Sequence, residues 1–235
     1  MDISPDAWIF WRWGPIVLNG TILFTWGLMA LLVLGSWLVT RKITTGRDVS
    51  RWQLFLETVV SYIRKEIENI IHKDPDPYLP FVGTLFLYIS VSNLLAIVPK
   101  YQPPTGSIST TTALAVCVFF AVPVYGISQA GLKIYFKHYI RPSVFMLPFN
   151  VIGEFSRTLA LAVRLFGTVM SGTLIVAIIL SIAPLFVPIV MQALGLLIGQ
   201  IQAYIFAILA TVYIASATRA FQEKDHPENQ SEKEE

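Results

Sequence analysis

An arginine stands in the middle of an apolar stretch, AVRLFGTVMSGTLI at residues 162–175. This side chain, Arg164, keeps its proton at every physiological pH, and a charge at the centre of a bilayer costs about 2.5–3.5 kcal/mol or more. The acid nearest to it in the same apolar block is Glu154, ten residues earlier and close to one end. The other apolar blocks contain no carboxylate. An internal ion pair is therefore the weaker explanation, and a counter-charge on another chain the stronger one.

Polar and small residues accompany this arginine at helical spacing. Thr168 and Ser171 follow Arg164 by four and seven residues, which places all three on one side of a helix. Gly167 and Gly172 lie beside them. The pattern predicts a hydrated polar face around a fixed positive charge.

A second polar set lies in the closing apolar block. Gly195 and Gly199 form a small-xxx-small pair, which lets helices approach each other closely. Gln202 follows one turn later, and we expect it to share a hydrogen bond with the Arg164 guanidinium across the helix pair. Two more glutamines are equally well explained by hydrogen bonds to neighbouring backbone: Gln192 and Gln200.

The composition sets the class of protein. Of the 235 residues, 54% are hydrophobic and 14% are charged, whereas about 25% of a soluble domain is charged. The apolar residues form five blocks that reach about 20 residues or more, the length that a helix needs to cross a bilayer: 16–40, 79–98, 110–130, 149–182 and 185–218. The sequence therefore predicts an all-α, multi-pass membrane protein with about five membrane helices in a single membrane domain.

The first apolar block does not resemble a cleaved signal peptide. The stretch before it, MDISPDAWIFWRWGP, carries two aspartates and three tryptophans where a signal peptide has a short basic region. A tryptophan-rich flank is typical of an anchor at the membrane interface. Cys117 is the only cysteine of the chain, so an internal disulfide is excluded.

An amphipathic segment separates the first two membrane blocks. In residues 48–72 the apolar side chains recur at spacings of three and four, which is typical of a helix with one apolar face. Asp48 and Ser50 are candidate N-caps. We expect this helix to lie in the membrane interface or to pack on a partner.

The last two apolar blocks are longer than a membrane requires. Each has 34 residues, which makes about 50 Å of helix against about 30 Å of hydrocarbon. We expect two antiparallel helices that are bent or steeply tilted, with Pro184 and Pro188 at the corner between them. The segment 220–235 is charged and is predicted to be a disordered tail.

Basic residues predict the orientation of the chain. If the N-terminus is outside, the outer segments hold two basic residues, Arg12 and Lys100, and the inner segments hold thirteen: Arg41, Lys42, Arg47, Arg51, Arg64, Lys65, Lys73, Lys133, Lys137, Arg141, Arg219, Lys224 and Lys233. Cytoplasmic loops carry the excess of lysine and arginine. The N-terminus is therefore predicted outside and the C-terminus in the cytoplasm.

Hydroxyl side chains gather between the second and third blocks. PKYQPPTG predicts an outer turn, and SISTTTALA begins the next helix. Ser107, Ser109 and the run Thr110–Thr112 are polar enough to line a wet vestibule, and they are also suited to cap a helix start. The residues alone favour capping.

Three stretches resemble subunit a of the F-type ATP synthases. EFSRTLALAVRLFGTVMSGTLI is similar to the "RLFGN" helix of that family, and IQAYIFAILATVYIASA to its closing "QAFIF" segment. NLLAIVPKYQPPTGSISTTTALA is similar to its "NLLGLIP…PTADLNVTLALA" stretch. The similarity runs in order from about residue 80 to 218.

The resemblance implies a rotary mechanism in the membrane. In the family, a c-ring carries one mid-membrane carboxylate per subunit and rolls past the tilted helix pair. Arg164 matches the family's essential arginine, which draws each carboxylate into its charged form, while two offset half-channels load and discharge it. The resemblance also implies subunit b of the stator, membrane lipid and a bacterial inner membrane. It implies no cofactor, no resident metal, no nucleic acid and no catalytic residue in this subunit.

Four positions depart from the family pattern. Thr168 replaces the usual Asn, Thr173 a common Glu, Gly195 a His or Glu of some members, and Ser107 an Asp. Hydroxyls and glycine thus stand where titratable residues usually line the outer half-channel. Water can conduct H⁺, and Na⁺ accepts hydroxyl, carbonyl and water ligands. The sequence is therefore compatible with transport of either ion, and Na⁺ is slightly favoured. Glu154 matches an acidic position near the inner half-channel.

Two other classes of protein compete with this interpretation. A secondary transporter would use Arg164 to bind an anionic substrate, but such transporters show repeats and broken helices, and the sequence shows neither. A membrane enzyme would need a catalytic cluster within the spans, whereas the three histidines all fall in cytoplasmic segments: His72, His138 and His226.

Overall fold

The computed structural model describes residues 9–13, 16–41, 51–72, 74–98, 101–131, 146–182 and 187–219. Within them, six α-helices follow a short hairpin: β1 (Ile9–Trp13), β2 (Ile16–Asn19), α1 (Gly20–Thr40), α2 (Arg51–Ile71), α3 (Leu79–Leu94), α4 (Ile108–Ala130), α5 (Met146–Ile182) and α6 (Val187–Arg219). Two 3-10 turns, Leu95–Ile97 and Pro104–Gly106, lie between α3 and α4. Apart from the hairpin the fold is all-α, and that prediction is confirmed.

Five of the described helices are long and apolar enough to cross a membrane: Gly20–Leu38, Leu79–Ile97, Ile108–Gln129, Pro148–Ser181 and Ile189–Thr218. They coincide with the five predicted blocks. The candidate caps Asp48 and Ser50, the corner residue Pro184 and the tail 220–235 lie outside the described residues.

The hairpin was not predicted. β1 and β2 pair antiparallel, with Trp13 opposite Ile16 and Ile9 opposite Asn19. The first apolar block therefore begins as a strand, and its helix starts at residue 20 and not at residue 16. The signal is present in the sequence, because aromatic and β-branched residues stand on both sides of a Gly-Pro dipeptide.

The two long helices run antiparallel. The Arg157 guanidinium of α5 lies 5.7 Å from the ring centre of Tyr213 on α6, and the Thr168 hydroxyl of α5 reaches Gln202 of α6. From the first contact to the second, the residue number rises by eleven on α5 and falls by eleven on α6, so the two chains run in opposite directions. With 37 and 33 residues, the helices are about 55 and 50 Å long, so neither fits upright across about 30 Å of hydrocarbon.

α6 is the central helix of the bundle. It packs against α2, α3, α4 and α5, and small residues make up much of its buried stripe, which includes Ala203, Ala207, Ala210 and Ala215. Lipid gives little hydrophobic driving force between helices, so close approach over small side chains is what holds such helices together. The most extensive contact of α6 is with α3.

The amphipathic helix α2 packs on its own chain. Its buried residues Ile63, Ile67 and Ile71 recur every four positions and contact a cluster with Tyr78 and Val82 at the start of α3. We call this side of the bundle the α2 end. The opposite side, which carries residues 101–107, is called the turn end. These two ends give the positions of the site residues described below.

Candidate functional site

Arg164 lies on the open face of α5. Leu161, Ala162 and Leu165 of the same helix are buried in the bundle core, whereas Arg164 is exposed. Small exposed residues surround it at helical spacing: Ala160, Gly167 and Ser171. The described residues contain two ion pairs, Arg64–Asp76 and Arg157–Glu154, and Arg164 takes part in neither. Within this part of the chain, no carboxylate forms an ion pair with Arg164.

Gln202 of α6 contacts α5 at Thr168, one turn after Arg164. The Thr168 hydroxyl donates to the Arg164 carbonyl at 2.8 Å and reaches the Gln202 Oε1 atom at 3.5 Å. Gln202 is 5% exposed, and its Nε2 group has no hydrogen-bond partner among the described residues. The expected hydrogen bond between Gln202 and the guanidinium is not formed in this structure. Thr168 bonds to the backbone carbonyl of Arg164 and not to its guanidinium, and the arginine side chain is exposed.

Gln200 forms hydrogen bonds with α3, and Gln192 with the 3-10 turn Leu95–Ile97 that follows it. Gln200 Nε2 donates to the Ser90 carbonyl at 2.9 Å, and the Ser90 hydroxyl donates back to Gln200 Oε1. Gln192 Nε2 donates to the Ala96 carbonyl at 3.3 Å. Backbone bonding, which the sequence left as one of two explanations, is the one the structure shows. These contacts fix the register of α6 against α3.

The two glycines of the small-xxx-small pair differ in their surroundings. A Cβ atom at Gly199 would lie 3.0 Å from the Asn93 Cβ atom, whereas a Cβ atom at Gly195 would meet nothing within 4 Å. Gly199 therefore serves close packing, but against α3 and not against α5. Gly195 packs against nothing in the described chain, because it lies on an exposed face of α6.

A cavity of about 230 Å³ opens at the turn end beside α5. Thr173 is one of its two polar lining residues, with Gln102; the others are Pro103, Gly106, Val169, Met170 and Ala177. The Thr173 hydroxyl is exposed and donates to the Met170 carbonyl at 2.9 Å. The residues of α5 that line the cavity follow Arg164 by five to thirteen positions, toward the turn end.

Ser107 stands at the N-cap position of α4, but its side chain does not cap the helix. Its hydroxyl lies 2.8 Å from the Ser109 hydroxyl, while its carbonyl accepts the backbone N–H of Thr111 at 3.1 Å. Ser107 therefore holds the predicted cap position without the side-chain hydrogen bond of a cap. Ser107 is 1% exposed, and the cavity is lined by the preceding residue, Gly106.

Glu154 lies toward the α2 end of α5. Its carboxylate is 3.5 Å from the Arg157 guanidinium, and Arg157 in turn lies over the Tyr213 ring of α6. The Glu154 side chain is 20% exposed. Glu154 precedes Arg164 by ten residues on α5, whereas the cavity residues follow it. The acid pairs with Arg157 and not with Arg164.

Asn93 and Thr105 were missed by the sequence analysis. Asn93 Nδ2 donates to the Gly199 carbonyl at 2.8 Å, and Asn93 Oδ1 accepts the Thr105 hydroxyl at 3.1 Å. Both side chains are buried. A signal exists for Asn93, because an amide inside an apolar block must find partners. The identity of those partners is set only by the packing of α3 on α6.

The site carries little titratable chemistry. No group of three or more His, Cys, Asp or Glu side chains with a geometry for a metal occurs in the part of the chain that the structure describes. Near the turn end, burial raises the pKa of the Tyr101 phenol, which lies beside Ser92. That phenol stays protonated at physiological pH. The arrangement is a fixed cation flanked by hydroxyl and amide groups.

Comparison with known proteins identifies relatives over nearly the whole chain. The family model of the ATP synthase A chain matches residues 22–215. ATP synthase subunit a 2 of Acaryochloris marina is 60% identical over 222 residues, which cover 94% of this chain and 95% of that protein. ATP synthase subunit a of Albidiferax ferrireducens is 58% identical over 227 residues, 97% and 98% of the two chains. ATP synthase subunit a 1 of Crocosphaera subtropica is 56% identical over 224 residues, 95% and 97%.

Proposed function

The chain belongs to the ATP synthase subunit a family, and on this premise we propose how its residues carry out the work of that subunit. It is a stator subunit of the membrane sector FO in a bacterial ATP synthase, multi-pass and not itself catalytic, in a complex with a c-ring and b subunits. A secondary transporter of anions is not supported by these relatives. What remains to be assigned is the role of each residue.

We propose that Arg164 meets the carboxylates of the c-ring at the open face of α5. The observation that carries this proposal is an exposed arginine on a membrane-spanning helix that takes part in neither ion pair of the described residues. A nearby cation favours the charged form of a carboxylate, and desolvation favours the neutral form. Each carboxylate is therefore ionised beside Arg164 and neutral elsewhere in the ring.

The face around Arg164 is suited to a close-fitting partner. Ala160, Gly167 and Ser171 on α5 and Gly195 on α6 are small and exposed, and small side chains let membrane helices approach each other closely. An added Cβ atom at Gly167 or Gly195 would meet nothing within 4 Å in the described residues, which leaves room for a ring helix that passes over them. The rest of the exposed surface of α1 and α5 faces lipid or the b subunits.

The turn end is assigned to the outside and the α2 end to the cytoplasm, on the strength of the basic residues concentrated near α2 and the C-terminus. The cavity beside Thr173 then forms the outer half-channel, close to the buried Ser107. Glu154, on the other side of Arg164, belongs to the inner half-channel. An ion reaches the ring carboxylate through one and leaves through the other, and Arg164 blocks the direct path.

Na⁺ is the ion we assign to this pathway. The described residues that line the cavity include Thr173 and Gln102, whose side-chain oxygens are donors acceptable to a hard cation, and none of these lining residues carries a carboxylate. The experiment is ATP-driven uptake of radioactive sodium by the complex in liposomes, with and without a protonophore. Uptake that persists with the protonophore supports Na⁺. Protonophore-sensitive acidification without sodium uptake would show that the ion is H⁺ and that water in the cavity carries it.

Gln202→Leu is expected to slow ion pumping by about tenfold, the loss that follows from about 1–2 kcal/mol of hydrogen bonding in a membrane. Its Nε2 group is buried without a partner in the described chain, and a bound water is the partner that would satisfy it. The effect is milder than loss of Arg164, since no charge is removed. Gln192→Leu is the matched control, because that side chain is exposed and makes one long bond. Equal effects of the two changes would contradict a specific role of Gln202.

A further inference from the structure

One buried side chain joins three separate segments at the turn end. Asn93, on α3, is 5% exposed. Its Nδ2 group donates to the Gly199 carbonyl of α6 at 2.8 Å, and its Oδ1 atom accepts the Thr105 hydroxyl of the 3-10 turn Pro104–Gly106 at 3.1 Å. Thr105 itself is fully buried. The amide is therefore bonded on both of its sides, to a helix and to a turn.

The contact with α6 depends on a missing side chain. A Cβ atom at Gly199 would lie 3.0–3.1 Å from the Cβ, Cγ and Nδ2 atoms of Asn93. Only glycine lets the amide reach the helix carbonyl at this position.

The turn that Thr105 anchors contacts α5 on its other side. A Cβ atom at Gly106 would lie 3.4 Å from the Val169 Cγ1 atom of α5, so the turn backbone lies directly against that helix. Gln102, Pro103 and Gly106 of this segment form one wall of the outer cavity, and Val169, Met170 and Thr173 form the other. The position of the turn therefore sets the width of the cavity.

The register of α3 against α6 does not need Asn93. Ser90 and Gln200 already join these helices by two reciprocal hydrogen bonds, and Gln192 adds a third contact with the Ala96 carbonyl. The Thr105 hydroxyl, in contrast, has Asn93 as its hydrogen-bond partner among the described residues. The distinct contribution of Asn93 is therefore the attachment of the turn.

We propose that Asn93 is a positioning residue for ion entry: through Thr105 it holds the turn 104–106 against α5 and thereby keeps the outer cavity open to the ion at a fixed width. This rests on the proposed function, since it assigns the cavity to the outer half-channel. Asn93 touches neither the ion nor the ring carboxylate in this account. Its effect is exerted on the entry of the ion from outside.

The test uses the whole complex in membrane vesicles, with Cys117 replaced by serine and cysteines at Gly106 and Val169. The yield of the 106–169 disulfide reports the contact of the turn with α5 and does not depend on transport. Thr105→Val keeps the shape of the side chain and removes the hydroxyl donor, Thr105→Ser restores a hydroxyl, and Asn93→Leu removes both bonds. Thr84→Val is the control, because its hydroxyl is exposed and bonds only within α3, to the Pro80 carbonyl.

We expect Thr105→Val and Asn93→Leu to lower the disulfide yield by about tenfold, and Thr105→Ser and Thr84→Val to leave it unchanged. In the complex without the added cysteines, the outside Na⁺ concentration for half-maximal ATP synthesis rises by a similar factor, while the maximal rate is kept. If the complex uses H⁺, the outside pH replaces the Na⁺ concentration.

An unchanged disulfide yield in Thr105→Val would overturn the proposal, and Thr105→Val decides alone if Asn93→Leu does not assemble. A lower yield with an unchanged ion requirement would also overturn it, because the turn would then be held without any effect on ion entry. Failure of ion-coupled synthesis in the parent complex would refute the proposed function instead, while the disulfide would still report the turn.

Discussion

Arg164→Ala is expected to abolish ATP-driven ion transport and to leave the subunit assembled. A cation within about 4–6 Å lowers the pKa of a carboxylate by about 1–3 units, so its loss reduces the ionised fraction of the ring carboxylate by about 10- to 1,000-fold. We expect pumping in reconstituted liposomes to fall by about 100-fold or more. Assembly survives because Arg164 makes no ion pair within the described chain and its side chain is exposed.

Arg64→Ala is the matched control for this change, since it also removes one arginine. Arg64 lies on α2, half exposed, and pairs with Asp76 at 2.9 Å. Exposed pairs of this kind contribute about 0–1 kcal/mol, so pumping should stay near the parent rate. Coupled pumping by the Arg164→Ala complex would refute the role assigned to the arginine, whatever the control does.

Gly199→Val is expected to give the second large effect, a loss of subunit stability. The added Cβ would lie 3.0 Å from that of Asn93, which is itself held at both ends. Overpacking of this kind costs about 1–3 kcal/mol, and the branched side chain adds a second methyl group to the clash. The higher helix propensity of valine relative to glycine returns only a few tenths of a kcal/mol. The amount of subunit in the membrane and the thermal stability of the detergent-solubilised complex should both fall.

Gly195→Val separates packing within the chain from contact with the ring. The two glycines are one turn apart on α6, but a Cβ atom at Gly195 meets nothing within 4 Å. We expect this variant to keep the normal amount of subunit in the membrane and to lose pumping, because the side chain projects toward the ring. If Gly195→Val destabilised the subunit as much as Gly199→Val, the open face would be misassigned.

The helices could be predicted because their signal is local. Five apolar blocks of bilayer length and one amphipathic segment require only composition and spacing, and each has its helix in the structure within about four residues at either end. The N-terminal hairpin differs, because hydropathy alone does not distinguish the apolar strand β2 from the start of α1. Attention to the Gly-Pro dipeptide between two β-prone runs would have found it.

Only those features of the site that follow from the chemistry of a single residue could be predicted from the sequence. Arg164 demands an explanation from its charge alone, and the structure places it on an open face. Gly199 is predicted to allow close helix packing, but the pattern does not name its partner, which is Asn93 of α3. Partners of this kind depend on which helices are neighbours, and hydropathy does not contain that information. The same is true of Thr168, which contacts Gln202 where a direct bond to the arginine was expected.

The most direct test of the central claim is disulfide cross-linking between α5 and the c-ring. Ala160 and Ala162 are two residues apart on α5, one exposed and one 5% exposed in the core, and each is replaced by cysteine in a Cys117→Ser complex. The partner cysteine stands one turn from the ring carboxylate. We expect a cross-link from position 160 and none from position 162. A cross-link from position 162 alone, or from neither position, would contradict the assignment of the Arg164 face to the ring.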